Sequence, residues 1–250
     1  MQLLVWRAKN STFAAAMKKL VIISTIVIGV LTSAFAQETT PASNSPIKRE
    51  AREDMLLMNF NWATILNTGD SVNVEPYSWG YDLMLMYDVP IQSSNFSFAL
   101  GGGLGIANYY TNAEIQSRTT LEDTLTLQSF FIPVDGTRDI KRNKLTITYA
   151  DIPFEIRYRS NPDKHGYSWK FAVGAKVGYH LQTKSKIIEN SKKVKTYDFP
   201  NYEKWRLGLN MRVAYGRVGV NAFYSASSIF DDGKGEAINP FSVGITLMPF

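Results

Sequence analysis

Beyond Asp54, apolar and polar residues alternate with a period of two, the pattern of strands whose two faces meet different surroundings. The clearest stretch is Trp169 to Gln182. Trp169, Phe171, Val173, Ala175, Val177, Tyr179 and Leu181 form a wholly apolar face, and Lys170, Ala172, Gly174, Lys176, Gly178, His180 and Gln182 form a small or polar one. The same contrast runs through Trp79–Val89, Phe96–Ala107, Trp205–Tyr215 and Phe241–Met248, and more weakly through Leu56–Leu66 and Arg217–Ala226. Between Leu145 and Arg159 the parity switches: Leu145, Ile147 and Tyr149 lead into Ile152, Phe154, Ile156 and Tyr158. One extra residue around Ala150–Asp151 would produce the switch, so the pattern predicts a β-bulge there. Pro153 would then lie on the inward parity.

These segments predict eight strands, several of them long enough to cross a bilayer at a tilt, which takes about 9–11 residues. The connections between them alternate long and short: 67–77, 90–95, 109–143, 160–167, 183–202, 215–216 and 227–239. Long external loops and short periplasmic turns around an even strand number describe an up-and-down membrane barrel with both termini on the periplasmic side. The predicted fold class is therefore all-β, an eight-stranded antiparallel up-and-down transmembrane β-barrel over residues 55–250. Trp79, Tyr109, Tyr149, Tyr179, Trp205, Tyr224 and Phe241 fall at the expected outer strand ends, and Tyr87, Phe96, Tyr158, Trp169 and Tyr215 at the inner ends. Two aromatic girdles are what membrane interfaces select. A soluble lipocalin-like barrel fits less well. Its exterior would need many charges, whereas the second face here is rich in glycine and sparsely charged.

The N-terminus predicts how such a chain is delivered. Met17-Lys18-Lys19 precedes an uncharged run from Leu20 to Phe35 that ends Ala34-Phe35-Ala36 before Gln37. Charged, apolar and small-residue regions in that order read as an export signal, predicting cleavage between Ala36 and Gln37. Residues 1–36 are read as signal peptide with an upstream extension before Met17, and residues 37–54 as a flexible polar periplasmic lead-in. The whole chain has 27 Lys+Arg, 22 Asp+Glu and a net charge of +5. Four of the cations, Arg7, Lys9, Lys18 and Lys19, lie in the leader, so the remainder is near neutral. No nucleic-acid partner is expected, because the positive footprint such binding needs is largely confined to the leader. The chain has no cysteine, which excludes a disulfide scaffold or thiolate metal site.

The segments Gly80–Pro90 (GYDLMLMYDVP), Ser94–Gly105 (SNFSFALGGGLG), Thr148–Tyr158 (TYADIPFEIRY), Phe171–Tyr179 (FAVGAKVGY) and the terminal Phe250 resemble the outer-membrane β-barrel domain family of bacteroidete-type bacteria known as porin family or PorT-like. The resemblance covers about residues 55–250. It implies an eight-stranded outer-membrane barrel, with Phe250 as the signal read by the barrel-insertion machinery. Pro249 before it, and its being out of phase with Phe241, Val243, Ile245 and Leu247, depart from the usual pattern. A PorT-like protein would assist secretion across the outer membrane.

Little catalytic chemistry is legible. The run Gly101–Gly105 lacks the residues of a nucleotide-phosphate loop and sits inside a strand pattern. His165 and His180 are the only histidines, too few for a zinc site. His180 would be the base of a lipid-modifying enzyme, yet it takes the inward parity. Asp231–Glu236 lacks the spacing of a calcium loop. No catalytic, metal or cofactor residue is assigned. The inward face instead collects Asp82, Asp88, Glu155, Arg157, Lys170, Lys176, Arg206 and Arg212. Because an eight-stranded barrel is only wide enough to be filled by side chains, these predict an ion-pair network that plugs the lumen of a monomeric barrel. Outer-membrane lipid is the surrounding partner, and the long segment 109–143, with apolar Leu127–Val134 (LQSFFIPV), is a candidate protein-binding loop. The alternative there is that the two flanking strands simply extend above the membrane as a hairpin.

Overall fold

A computed structural model describes residues 56–69, 72–91, 94–121, 125–134, 138, 140–190, 192–197 and 199–249. The expected leader, cleavage site at Ala36 and Gln37, lead-in and terminal Phe250 lie outside the described residues. The strands are β1 (Leu56–Leu66), β2 (Trp79–Pro90), β3 (Phe96–Tyr110), β4 (Ala113–Leu121), β5 (Leu125–Pro133), β6 (Ile140–Arg159), β7 (Trp169–Glu189), β8 (Lys192–Tyr197), β9 (Trp205–Tyr215), β10 (Val218–Ser225) and β11 (Asn239–Leu247).

Eight of them form a closed antiparallel barrel. The order β6-β3-β2-β1-β11-β10-β9-β7 is completed by pairing of β6 with β7. Neighbours in the barrel are neighbours in sequence, apart from the seam where β1 meets β11. The short connections, the start of β1 and the end of β11 share one end, and the long connections share the other. Tightest of all is the turn at Gly216–Arg217 between β9 and β10. Gly216 has φ 59° there, a conformation that two-residue hairpins favour and side chains resist.

The apolar face points outward. Leu83, Leu85, Phe98, Leu100, Leu104, Ile152, Ile156, Phe171, Val173, Leu207, Leu209, Met211, Val220 and Ile245 are all exposed. Large apolar side chains exposed all round a barrel are tolerable only against lipid. Trp79, Tyr179, Trp205 and Tyr224 rim the outer end of this belt, and Tyr87, Phe96, Trp169 and Tyr215 the inner end. Tyr109 and Tyr149 do not join the outer girdle as expected. They are 3% and 4% exposed, because their odd-numbered positions in β3 and β6 turn them into the lumen.

Tyr149 belongs to a larger correction. β6 has no bulge at Ala150–Asp151. Asn143, Leu145, Ile147, Tyr149, Asp151, Pro153, Glu155 and Arg157 all face inward in unbroken alternation. What changes along β6 is the medium. Its lower half has lipid outside and charge inside. Its upper half stands beyond the belt, with Thr148, Thr146 and Lys144 outside and Leu145 and Ile147 packed inside as in a soluble core. The extra residue sits in the neighbouring strand: Tyr149 pairs with His180 and Thr148 with Gln182, so Leu181 is bulged out of β7. Pro153 is inward and buried, as expected. The β3–β6 ladder pairs Leu100 with Phe154 and resumes at Gly103 with Asp151, stepping over the N–H that proline lacks.

The outer loops add structure that the alternation did not predict. β4 and β5 form a hairpin within 109–143, as the extension reading has it, but one paired in its own two-stranded sheet apart from β3 and β6. The extension of β7 folds back as β8 through Asn190, at φ 47°, a residue type that tolerates the left-handed region.

Candidate functional site

The barrel interior is built in three tiers. Their charged members lie on β2, β6, β7 and β9, where every second residue faces the axis. In the middle tier, the two carboxylate oxygens of Asp151 accept hydrogen bonds from Nη2 of Arg206 at 2.8 and 2.9 Å, and Lys176 Nζ lies 3.4 Å from Oδ2. Lys176 also stands 3.8 Å from Asp82, whose carboxylate accepts from Asn61 at 3.0 Å and Asn59 at 3.3 Å. The Arg206 guanidinium lies over the Tyr149 ring at 3.8 Å, and Lys176 over Phe223 at 4.1 Å. Glycine makes room for this. A Cβ on Gly105 would come within 2.7 Å of both Asp82 and Asp151, and one on Gly178 would collide with Asp151.

A second cluster lies nearer the inner end. Glu155 accepts from Arg212 at 2.6 Å, Arg157 at 2.9 Å and Asn210 at 2.8 Å. Arg157 and Arg159 approach Asp88 at 3.8 and 3.9 Å. Lys170 is half-buried beside Arg157 and Arg212, lining a cavity with them. Leu57, Met84, Met86, Ala99, Ala214 and Met248 form an apolar patch at this end. The free volume is small: the two cavities around Asp82 and Lys176 and the one at Lys170 are each about 20 Å³, roughly the space one water needs.

The third tier lies at the outer end. Ile229, Phe230 and Ile238 from the β10–β11 loop, Tyr202 from the β8–β9 loop and Phe131 from β5 pack onto Ile65, Tyr109, Leu145, Ile147 and Tyr149 of the wall. Phe230 contacts Phe131 and Tyr202 with ring centroids 5.9 and 5.3 Å apart. Burial pushes the Tyr202 phenol well above its ordinary pKa, so it is a neutral member of this core. His180 stacks on Tyr202 at 5.3 Å and hydrogen-bonds Thr183 at 2.7 Å. Outside the mouth, Arg138 clips the hairpin to the wall, reaching Glu114 of β4 at 2.8 Å and Glu189 of β7 at 2.9 Å. The Glu189 carboxyl is held below the usual carboxylate range, chiefly by that hydrogen bond.

The structure thus brings Asp82, Lys176 and Arg206 into one cluster and Asp88, Glu155, Arg157 and Arg212 into another, with Lys170 at the edge of the second. Asp151, central to the first cluster, was absent from the sequence-based set. The supposed bulge removed it from the inward parity, although Asp151, Pro153, Glu155 and Arg157 continue a single alternation. Asn59, Asn61 and Asn210 join the clusters without a charge to mark them in the sequence. Among the described residues no group of three or more His, Asp or Glu is placed to hold a metal ion.

A closed eight-stranded barrel with a lipid-facing apolar belt and a charged interior is an integral membrane β-barrel, the form that spans bacterial outer membranes. The family profile described as outer membrane protein beta-barrel domain matches residues 35–234. The chain belongs to that family and is a protein of the bacterial outer membrane. No curated protein matches it.

Proposed function

We propose that the protein is a plugged, non-catalytic barrel that acts through its outer surface, with no general diffusion pore. The observation that carries this reading is the filling of the lumen: two ion-pair clusters, cavities of about 20 Å³, and an apolar cap drawn from three separate outer segments. Wide aqueous channels belong to barrels of about 16 strands. His180, the one candidate base, lies within the lumen against Tyr202 and Thr183, away from the lipid-facing wall where a lipid-modifying enzyme would need it. The β4–β5 hairpin and the β7–β8 extension supply the surface for a protein partner, and assistance to secretion, as in PorT-like proteins, is a narrower form of the same reading.

Planar-bilayer recording with the purified, folded protein tests the proposal. The expected result is no stable conductance step at moderate voltage. A large and persistent open state would overturn it.

A further inference from the structure

The outer wall carries a cationic groove that neither the lumen nor the cap uses. It has a volume of about 470 Å³ and lies on the β2-β3-β6-β7 side, lined by Arg142, Lys144, Lys184 and Lys186 together with Trp79 and Tyr110. None of the described residues lining it is acidic. The arrangement is electrostatically costly. Lys144 of β6 is directly opposite Lys186 of β7, and Lys186 is directly opposite Lys195 of β8. Like charges paired across strands destabilise a sheet. Three in one row favour an anion at this face.

Its height along the barrel identifies the anion. Tyr81 and Ile106, at the outer rim of the apolar belt, form the lower lining. Lys144 stands four residues beyond Thr148, roughly 14 Å along a strand and about 10 Å in height once a tilt near 40° is allowed for. That is the headgroup level, where basic side chains meet lipid phosphates. Lys144 Nζ also sits 5.5 Å from the Trp79 ring and 5.7 Å from that of Tyr110, contacts that hold the ammonium in place at the interface. The Leu181 bulge builds the groove. By shifting the parity of β7 it turns Gln182, Lys184 and Lys186 outward, above the apolar run that ends at Tyr179.

We infer that this groove binds the phosphorylated headgroup of an outer-leaflet glycolipid, with Lys144 and Lys186 as the principal phosphate contacts and the Trp79–Tyr81 rim against the acyl chains. The inference rests on the outer-membrane setting and is independent of whether the lumen conducts.

Native mass spectrometry of the full chain in detergent, titrated with diphosphoryl lipid A, tests it. The wild type is expected to bind at least tenfold more tightly than the double variant Lys144→Gln/Lys186→Gln, with Lys144→Arg/Lys186→Arg retaining affinity. Lys164→Gln in an inner turn is expected to leave binding unchanged. All variants should keep the heat-modifiable migration of a folded barrel, since these side chains project from the outer wall. Dephosphorylated lipid A should bind weakly, and millimolar inorganic phosphate should not displace the lipid. Equal binding by the Gln variant, equal binding of dephosphorylated lipid, or displacement by inorganic phosphate would each overturn the inference.

Discussion

Asp151 is the point on which two cations converge, Arg206 at 2.8 Å and Lys176 at 3.4 Å, in a side chain with no exposure to solvent. Removing one member of a buried charge cluster leaves the others without compensation, at a cost of about 3–5 kcal/mol. Asp151→Asn should therefore lower the urea midpoint of the folded barrel in micelles by that equivalent, whereas Lys164→Gln should leave it unchanged. An unaltered midpoint for Asp151→Asn would show that the cluster is dispensable for stability. The residue also marks where sequence reading stopped short. Asp82, Glu155, Arg206 and Arg212 were legible because a charge opposite a lipid-facing row has to point inward. Asp151 lies where the apolar residues change sides, and a switch in parity has two explanations: an extra residue, or a new environment on both faces. The burial of Leu145, Ile147 and Tyr149 on the same face as Asp151 separates them.

At the scale of elements, the belt was readable because lipid imposes one rule on every strand that crosses it. The upper wall obeys a different rule. Once β6 and β7 leave the bilayer, water lies outside and the cap lies inside, so Leu145 and Ile147 turn inward while Lys144 and Thr146 turn outward. β8 was not legible for a related reason. Its alternation is short and it is exposed along its whole length, so neither face carries a hydrophobic signature. The Arg138 clip gives this region a pH dependence. The Glu189 carboxyl is depressed in the folded state. Its contribution is therefore present above the ordinary glutamate pKa and is lost as pH falls through the depressed folded value. Amide protection in β4–β5 is expected to decline across that acidic window, as followed by hydrogen exchange. Arg138→Gln should lower protection at neutral pH and remove most of the acid-dependent change. A wild-type hairpin equally protected on both sides of the window would refute the clip.

For the whole molecule, closure makes stability collective, and the simplest check is electrophoretic. Unheated protein from the membrane fraction should migrate differently from boiled protein, and recovery in a soluble periplasmic fraction would contradict the assignment. The seam between β1 and β11 has a further consequence, for assembly. Thr246 hydrogen-bonds Asn59 across it at 2.8 Å, over a separation of 187 residues. Every other barrel junction joins strands consecutive among the eight, linked by a turn or a single loop, so each closes over a far shorter separation. This one requires the two ends of the domain to find each other, the slowest kind of contact to form. Until they do, β1 and β11 each present a row of unpaired backbone groups, which lipid cannot satisfy and which invite pairing with another chain. The half-built sheet therefore needs its open edges occupied throughout insertion, and a chain that ends before β11 would keep them open for good.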